Sequence, residues 1–181
     1  MQGIADNYFA LFGLPVEYRI SRELLGLRYR ELQHRLHPDR FAATGDLQRR
    51  LAVQQAAYIN QAYQVLGDPI ARAKYLLELH GADTSAEGEA PKVDNAFLLE
   101  QMELRESLGE VRQAPDPHWA MARLMERIQA DTKDLVRELE QHLDQSAPRD
   151  PVPVLVLIDK MQYLDKLRQQ AERIEAELDH F

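Results

Sequence analysis

Apolar residues recur three and four positions apart along most of this chain, and that spacing limits its fold more than any other feature. Side chains spaced in this way line one face of an α-helix, whereas a half-buried strand needs strict alternation of apolar and polar residues. Alternation of that kind is found only in the short run Val152–Ile158. The sequence therefore predicts an all-α protein.

Four helices are predicted in the first part of the chain, because capping residues and helix breakers bracket each apolar stripe. Two of them are long and are joined by a short loop, residues 37–45, and such a pair packs as an antiparallel hairpin. The four helices run from a cap at Asp6 or Asn7 to Phe12, from Ser21 to just before Pro38, from about Asp46 to Leu66, and from Pro69, after a cap at Asp68, to Leu79.

Three more helices fill the second part, after residues 80–93, whose glycines and proline among small and acidic side chains indicate a linker. Prolines separate these helices, and each carries a continuous apolar stripe. Three amphipathic helices with short connections favour a bundle over residues 94–181. The helices are predicted from Asp94 to about Arg112, from about His118 to His142, and from about Val154 to Phe181.

Composition excludes several classes of function. The 181 residues contain no cysteine, so no disulfide, thiolate zinc site or cysteine-ligated iron–sulfur cluster can form, and any metal chemistry must be held by a partner. No run of uncharged apolar residues is long enough to cross a membrane, and no signal peptide begins the chain, so we expect a cytoplasmic protein. No cofactor is expected.

Charge is distributed unevenly along the chain. The net charge of −8 argues against broad nucleic-acid binding. Residues 1–79 hold 10 basic and 8 acidic side chains, whereas residues 80–181 hold 12 and 22. Two halves of opposite charge suggest two different partners.

The loop between the two long helices contains the tripeptide His37-Pro38-Asp39. By themselves, a histidine and an aspartate two positions apart fit a catalytic dyad, half of a metal site or an ordinary turn. The tripeptide alone does not separate these three interpretations.

Together with its neighbours, however, the tripeptide resembles the J-domain family. It follows a basic helix and is followed by the segments Ile59–Leu66 and Pro69–Tyr75. The resemblance implies that residues 1–79 form a J domain, which stimulates ATP hydrolysis by a DnaK-type chaperone. It also implies that His37, Pro38 and Asp39 contact that chaperone and are not themselves catalytic.

The helix before the tripeptide carries basic side chains, which the resemblance assigns to the same contact. Arg28 and Arg35 fall on one flank of its apolar stripe, and Arg30 projects nearly opposite them. The pattern alone is equally typical of a solvated helix face. Tyr29 is included in the predicted contact, whereas Glu31 departs from the family's basic pair and predicts a weaker or more selective surface.

Further segments resemble the HscB family of J-domain co-chaperones, which serve iron–sulfur cluster assembly. They are residues 8–15 with Tyr18 and Phe41, residues 72–81, residues 96–106 and residues 163–168. General J proteins lack the later segments. The resemblance implies two partners, the DnaK-type chaperone HscA and the iron–sulfur scaffold IscU, and we expect the chain to be a monomer.

The fifth predicted helix has two apolar faces at about 100° per residue. Its core face is formed by Phe97, Leu104, Leu108 and Val111. The other face is formed by Leu98, Leu99 and Met102, beside Glu103, Glu106 and Glu110. From the pattern alone, this second face could pack on the J domain or on another helix of the bundle. The resemblance implies instead that it binds IscU, together with the aromatic side chain of Tyr163.

Two rival functions are left open by the residues. One is a general J protein that serves unfolded clients. The other is a hydrolase or metalloenzyme that uses His37 and Asp39 with a further histidine. The second is disfavoured, because the chain has no metal-ligand spacing, phosphate-binding glycine loop or nucleophile signature.

Overall fold

The structure is a computed structural model that describes residues 6–35, 45–82, 95–144 and 150–179. The chain divides into two compact units, Met1–His80 and Gly81–Phe181. All regular elements within the described residues are helical, as the sequence predicts. The α-helices are α1 (Tyr8–Phe12), α2 (Arg22–Arg35), α3 (Asp46–Gly67), α4 (Pro69–Leu79), α5 (Asn95–Glu110), α6 (Pro117–Leu143) and α7 (Val152–Leu178).

The first unit is built on α2 and α3, which lie antiparallel. Tyr29 stacks on Tyr63 with 4.1 Å between ring centroids, and one turn further along α2 the side chain of Gln33 bonds Asn60. Residue numbers thus rise along one helix as they fall along the other. Helix α1 packs against both, and α4 packs against α3. The core is formed by Phe9, Phe12, Tyr18, Leu25, Ile59, Ala62, Leu66, Leu76 and Leu77.

Local hydrogen bonds fix the helix ends of this unit. The Asn7 side chain accepts a bond of 2.8 Å from the Ala10 N–H, and α1 ends at Gly13, whose φ of 63° is a conformation that glycine adopts without strain. The Asp68 side chain accepts a bond of 2.7 Å from the Ala71 N–H at the start of α4. These ends agree with the sequence prediction, because capping depends only on neighbouring residues.

Among the described residues of the first unit, one charged side chain is buried. Arg72 is 6% exposed, and its guanidinium lies 4.8 Å from the centre of the Tyr18 ring and donates to the backbone carbonyl of Leu66. Burial lowers the pKa of Arg72 from its ordinary value, because the charged form loses solvation. Arg72 therefore joins α4 to the end of α3 and to the segment that precedes α2.

The second unit is a bundle of α5, α6 and α7, with a single turn of 3-10 helix, Val111–Gln113, after α5. Asp116 caps α6 by accepting a bond of 3.0 Å from the Trp119 N–H. The three helices bury continuous apolar stripes against one another, as their spacing predicts. The buried residues are Phe97, Leu104, Leu108 and Val111 of α5 and its 3-10 turn; Met121, Leu124, Ile128, Leu135, Leu139 and Leu143 of α6; and Val154, Leu157, Ile158, Met161, Leu164, Leu167 and Ala171 of α7.

The run Val152–Ile158, which alternates in sequence, is the first two turns of α7. Val154, Leu157 and Ile158 are buried, and their spacing of three and four is helical. The helix begins two residues before the predicted Val154, because a proline is tolerated in a first turn, where its missing N–H costs no bond.

The observed end of α5 differs from the predicted one, and the end of α7 is described only in part. Helix α5 ends at Glu110 instead of Arg112, since the chain tightens into the 3-10 turn there. The apolar stripe of α7 weakens at its end, where Ile174 and Leu178 are only half-buried. The predicted end at Phe181 lies outside the described residues.

Candidate functional site

The predicted chaperone contact has two parts, of which the structure describes one. His37, Pro38 and Asp39 lie outside the described residues, so their role stays a prediction. Helix α2, which leads to them, is described up to Arg35.

The outer face of α2 carries its cations among carboxylate and apolar side chains. Arg28 pairs with Glu31 at 3.2 Å, with about half of each side chain exposed, so part of the charge of Arg28 is balanced within the helix. Arg30 and Arg35 are exposed. A shallow depression on this face is lined by Leu27, Arg28, Arg30, Glu31, His34 and Arg35. The three predicted arginines therefore border one concave surface.

Two exposed leucines on the surface of α2 were not predicted from the sequence. Leu24 and Leu27 are 37% and 46% exposed, outside the apolar stripe that packs on α3. Their position on the helix follows from the sequence, whereas their exposure depends on which elements pack against α2. The surface is accordingly a mixture of cations and apolar side chains.

Tyr29, predicted to contact the chaperone, makes its main contacts within the unit. Its ring stacks on Tyr63, and its hydroxyl donates to the side-chain oxygen of Asn60 at 3.0 Å. It is half-buried. These contacts hold α2 against α3 and so position the arginines of α2.

Helix α5 shows the two faces predicted from its periodicity. Phe97, Leu104 and Leu108 are buried on the inner face. The side chains of the outer face remain exposed: Leu98 by 47%, Leu99 by 62% and Met102 by 68%. The outer face is therefore not packed against another helix of the bundle.

The carboxylates beside this face differ in their contacts. Glu103 forms an ion pair of 3.2 Å with Arg127 of α6. Arg127 also lies 4.0 Å from Asp131, whose pKa is raised above its ordinary value chiefly by burial. Glu106 and Glu110 are exposed and have no ion pair with any residue that the structure describes. Two of the three predicted carboxylates are thus available to a partner.

Tyr163 fixes α5 on α7. Its hydroxyl donates to the backbone carbonyl of Gln101 at 2.8 Å, and its ring meets Phe97 edge-on at 5.9 Å between centroids. Burial raises the pKa of Tyr163 above its ordinary value, although Arg105 opposes the shift. The predicted aromatic residue of the surface is half-buried at the edge of the apolar face and also supports it.

Two cations that lie over aromatic rings of this unit were not predicted from the sequence. The Arg105 guanidinium lies 5.8 Å from the centre of the Tyr163 ring, and the Lys160 ammonium lies 5.0 Å from the centre of the Phe97 ring. The spacing of Arg105 from Met102 placed it beside the face, but its contact with α7 depends on how the helices pack. Arg105 therefore gives the apolar face a basic border as well as an acidic one.

The described ranges contain no group of three or more histidine, aspartate or glutamate residues that could hold a metal ion. None of the helices in those ranges is long and apolar enough to cross a membrane.

Comparison with known proteins matches the second unit to a family. A family model described as the HSCB C-terminal oligomerisation domain matches residues 93–172. The co-chaperone protein HscB homolog of Vibrio cholerae is 41% identical over 172 residues, which cover 95% of this chain and 98% of that protein. The chain belongs to the HscB family. That alignment covers 95% of the chain and therefore extends over both units.

Solved HscB structures have the same fold. The chaperone HscB from Vibrio cholerae has a TM-score of 0.82 and 40% identity, and covers 95% of this chain and 99% of its own. The crystal structure of human co-chaperone HscB has a TM-score of 0.80 and 25% identity, covering 96% and 84%. These HscB proteins are named as chaperones or co-chaperones, which fits a chain that is not an enzyme.

Proposed function

We propose that this HscB-family chain is an adaptor, which stimulates the ATPase of the DnaK-type chaperone HscA and delivers the iron–sulfur scaffold IscU to it. The observation that carries the proposal is the exposed apolar face of α5, formed by Leu98, Leu99 and Met102. A three-helix bundle already buries the opposite face of this helix and gains nothing from apolar side chains in water. Such a face is typical of a surface that binds another protein.

The apolar and the charged side chains of this face would contribute differently to the free energy of binding. Full burial of one such side chain contributes roughly 1.5–3 kcal/mol, so three that are about half to two-thirds exposed can supply about 3–5 kcal/mol. An exposed ion pair contributes only about 0–1 kcal/mol. The apolar side chains would therefore supply most of the affinity, while Glu106 and Glu110 favour a basic partner and set its approach.

The J-domain half would act by differential binding. Arg28, Arg30 and Arg35 attract an acidic surface of the chaperone, and Asp39 offers a charge-assisted acceptor to an arginine there. Pro38 restricts the shape of the loop. Hydrolysis accelerates because the chain binds the hydrolysis-competent arrangement of the chaperone more tightly than the resting one. The chemistry stays in the chaperone.

Steady-state ATP hydrolysis by HscA tests the proposal. We expect the chain alone to stimulate hydrolysis, and the chain with IscU to stimulate it by more than the sum of their separate effects. The adaptor raises the effective concentration of IscU at the chaperone, which is the reason for the excess. Purely additive rates would contradict delivery of IscU, and unchanged rates would contradict a role with HscA.

The rival role, a general J protein for unfolded clients, makes a different prediction. Such a protein suppresses the aggregation of unrelated denatured proteins and shows no preference for IscU. We expect this chain to leave their aggregation unchanged while it binds IscU.

We propose further that the chain acts as a monomer in the cytoplasm. The matching family model is described as an oligomerisation domain, so sedimentation at several concentrations is the relevant measurement. A mass that rises with concentration would contradict the monomer.

A further inference from the structure

The apolar face of α5 lies between charges of opposite sign. On the side of α6, Glu103 pairs with Arg127. On the side of α7, Arg105 lies over the Tyr163 ring. At 100° per residue, Glu103 and Arg105 project to opposite sides of the exposed stripe. A partner that covers the stripe therefore meets acidic groups along one border and a cation along the other.

Arg105 is held in position without being neutralised. Its guanidinium rests on a ring that is itself fixed, since the Tyr163 hydroxyl bonds the Gln101 carbonyl. Within the parts of the chain that the structure covers, no carboxylate forms an ion pair with Arg105. Arg112 and Arg168 of the same unit, in contrast, both pair with carboxylates. A cation whose position is set in advance binds an anion at a smaller entropic cost.

Arg105 also belongs to the surface that a partner would cover. It follows Met102 by three positions and Leu98 by seven, and these spacings place the three side chains on one side of the helix. A protein that buries Leu98 and Met102 removes water from Arg105 as well. Desolvating a cation that lacks an anionic partner is costly, so the bound protein must supply an acceptor at this point.

We propose that Arg105 is a specificity-determining residue of the α5 surface, which binds a carboxylate of the scaffold while Glu106 and Glu110 bind its basic side chains. The docked segment then has one favoured orientation, because a reversed segment would place like charges together. This inference rests on the proposed function, since it names the chemistry of the scaffold at the same surface.

Calorimetric titration of IscU into the full chain tests the inference. We expect Arg105→Gln to weaken binding about five- to tenfold, the loss of a charge-assisted contact at an interface, and Arg105→Glu to weaken it further. Arg123→Gln is the matched control. Arg123 is also exposed, lies 5.6 Å from the centre of an aromatic ring, that of Trp119, and has no ion pair with the described residues. We expect its replacement to leave the affinity unchanged.

A charge-reversal screen distinguishes direct binding of IscU by Arg105 from an indirect role in which Arg105 only supports the Tyr163 ring. Aspartates and glutamates of IscU are changed singly to lysine and titrated against the Arg105→Glu chain. One lysine variant should restore the lost affinity; restoration by none of them overturns the inference, and so does Arg105→Glu binding as tightly as the unchanged chain. Leu99→Ala is measured in parallel. If Leu99→Ala weakens binding and Arg105→Glu does not, only this inference fails; if neither weakens it, the proposed function fails too.

Discussion

An arginine lies over a tyrosine ring in each of the two units, and the two pairs have different consequences. Arg72 lies over Tyr18 and is buried, whereas Arg105 lies over Tyr163 and is exposed. A cation over a ring gains about 0.5–1 kcal/mol in water and about 2 kcal/mol or more once desolvated. The buried pair should therefore matter for folding, and the exposed pair for recognition.

Replacing the buried arginine should destabilise the first unit. Arg72→Met removes the donor to the Leu66 carbonyl, and a buried acceptor left unsatisfied costs about 1–3 kcal/mol. We expect the free energy of unfolding to fall by about 2 kcal/mol in urea denaturation followed by circular dichroism. Lys74→Met, at an exposed position two residues on, is the control and should change it by less than about 0.5 kcal/mol. Equal stability of the two variants would contradict a structural role for Arg72.

The Tyr163 hydroxyl should give the bundle a dependence on alkaline pH. Its pKa is raised above the ordinary 10.0 because burial disfavours the phenolate, so the folded chain holds the proton more tightly than the unfolded chain. The stability that the hydroxyl contributes is thus present below pH 10 and is lost as the pH rises through the folded pKa.

Tyr163→Phe removes the hydrogen bond to Gln101 and should lower the free energy of unfolding by about 1 kcal/mol at pH 8. The difference in the free energy of unfolding between this variant and the unchanged chain should become smaller above pH 10. Urea titrations followed by the fluorescence of Trp119, the only tryptophan, measure it in this unit. A difference that grows as the pH rises would contradict this role of the protonated Tyr163 hydroxyl.

Helix α5 carries the proposed scaffold surface, and its contact with α6 balances part of the charge of that surface. Arg127 pairs with Glu103, so one carboxylate of the surface is already occupied. Both side chains are largely exposed, at 43% and 64%, and the pair therefore adds little to stability.

Removing Arg127 should consequently strengthen binding. Arg127→Gln frees Glu103 for a basic partner, and we expect calorimetry to give a two- to threefold higher affinity for IscU, the scale of an exposed charge contact of about 0.5 kcal/mol. Arg137→Gln is the control, since Arg137 lies on the same helix and pairs with Asp134. Weaker binding by Arg127→Gln would show instead that the ion pair positions α5.

The features that the sequence predicts are those decided locally. The caps at Asn7 and Asp68 and the two faces of α5 follow from near neighbours and from helical periodicity. The bonds from Tyr163 to α5 and from Arg127 to Glu103 could not be predicted, because they depend on which helices become neighbours and at what rotation. The short alternation at Val152–Ile158 did not prevent the correct prediction of α7, because the apolar residues that follow it keep helical spacing.

The two units carry net charges of opposite sign, and the proposed function needs both units in one chain. Residues 1–79 have an excess of basic side chains and residues 80–181 a large excess of acidic ones. An adaptor gains from holding two partners at once only if a single covalent chain links them.

Two variants should therefore fail to complement each other. His37→Gln should abolish stimulation of HscA but retain IscU binding, and simultaneous Leu98→Ala, Leu99→Ala and Met102→Ala should do the reverse. An equimolar mixture should lack the excess stimulation that IscU produces with the unchanged chain, because no single molecule holds both partners. Full recovery in the mixture would mean that the two activities operate separately.

Because the proposed complex would form through the exposed leucines and methionine of α5, its affinity should depend on temperature. Removing apolar surface from water gives association a negative heat-capacity change, and the driving force fades on cooling. A complex held mainly by this apolar face should weaken towards the freezing point. In an organism that lives in the cold, the proposed binding of the scaffold would need a larger apolar area on this helix to reach the same affinity.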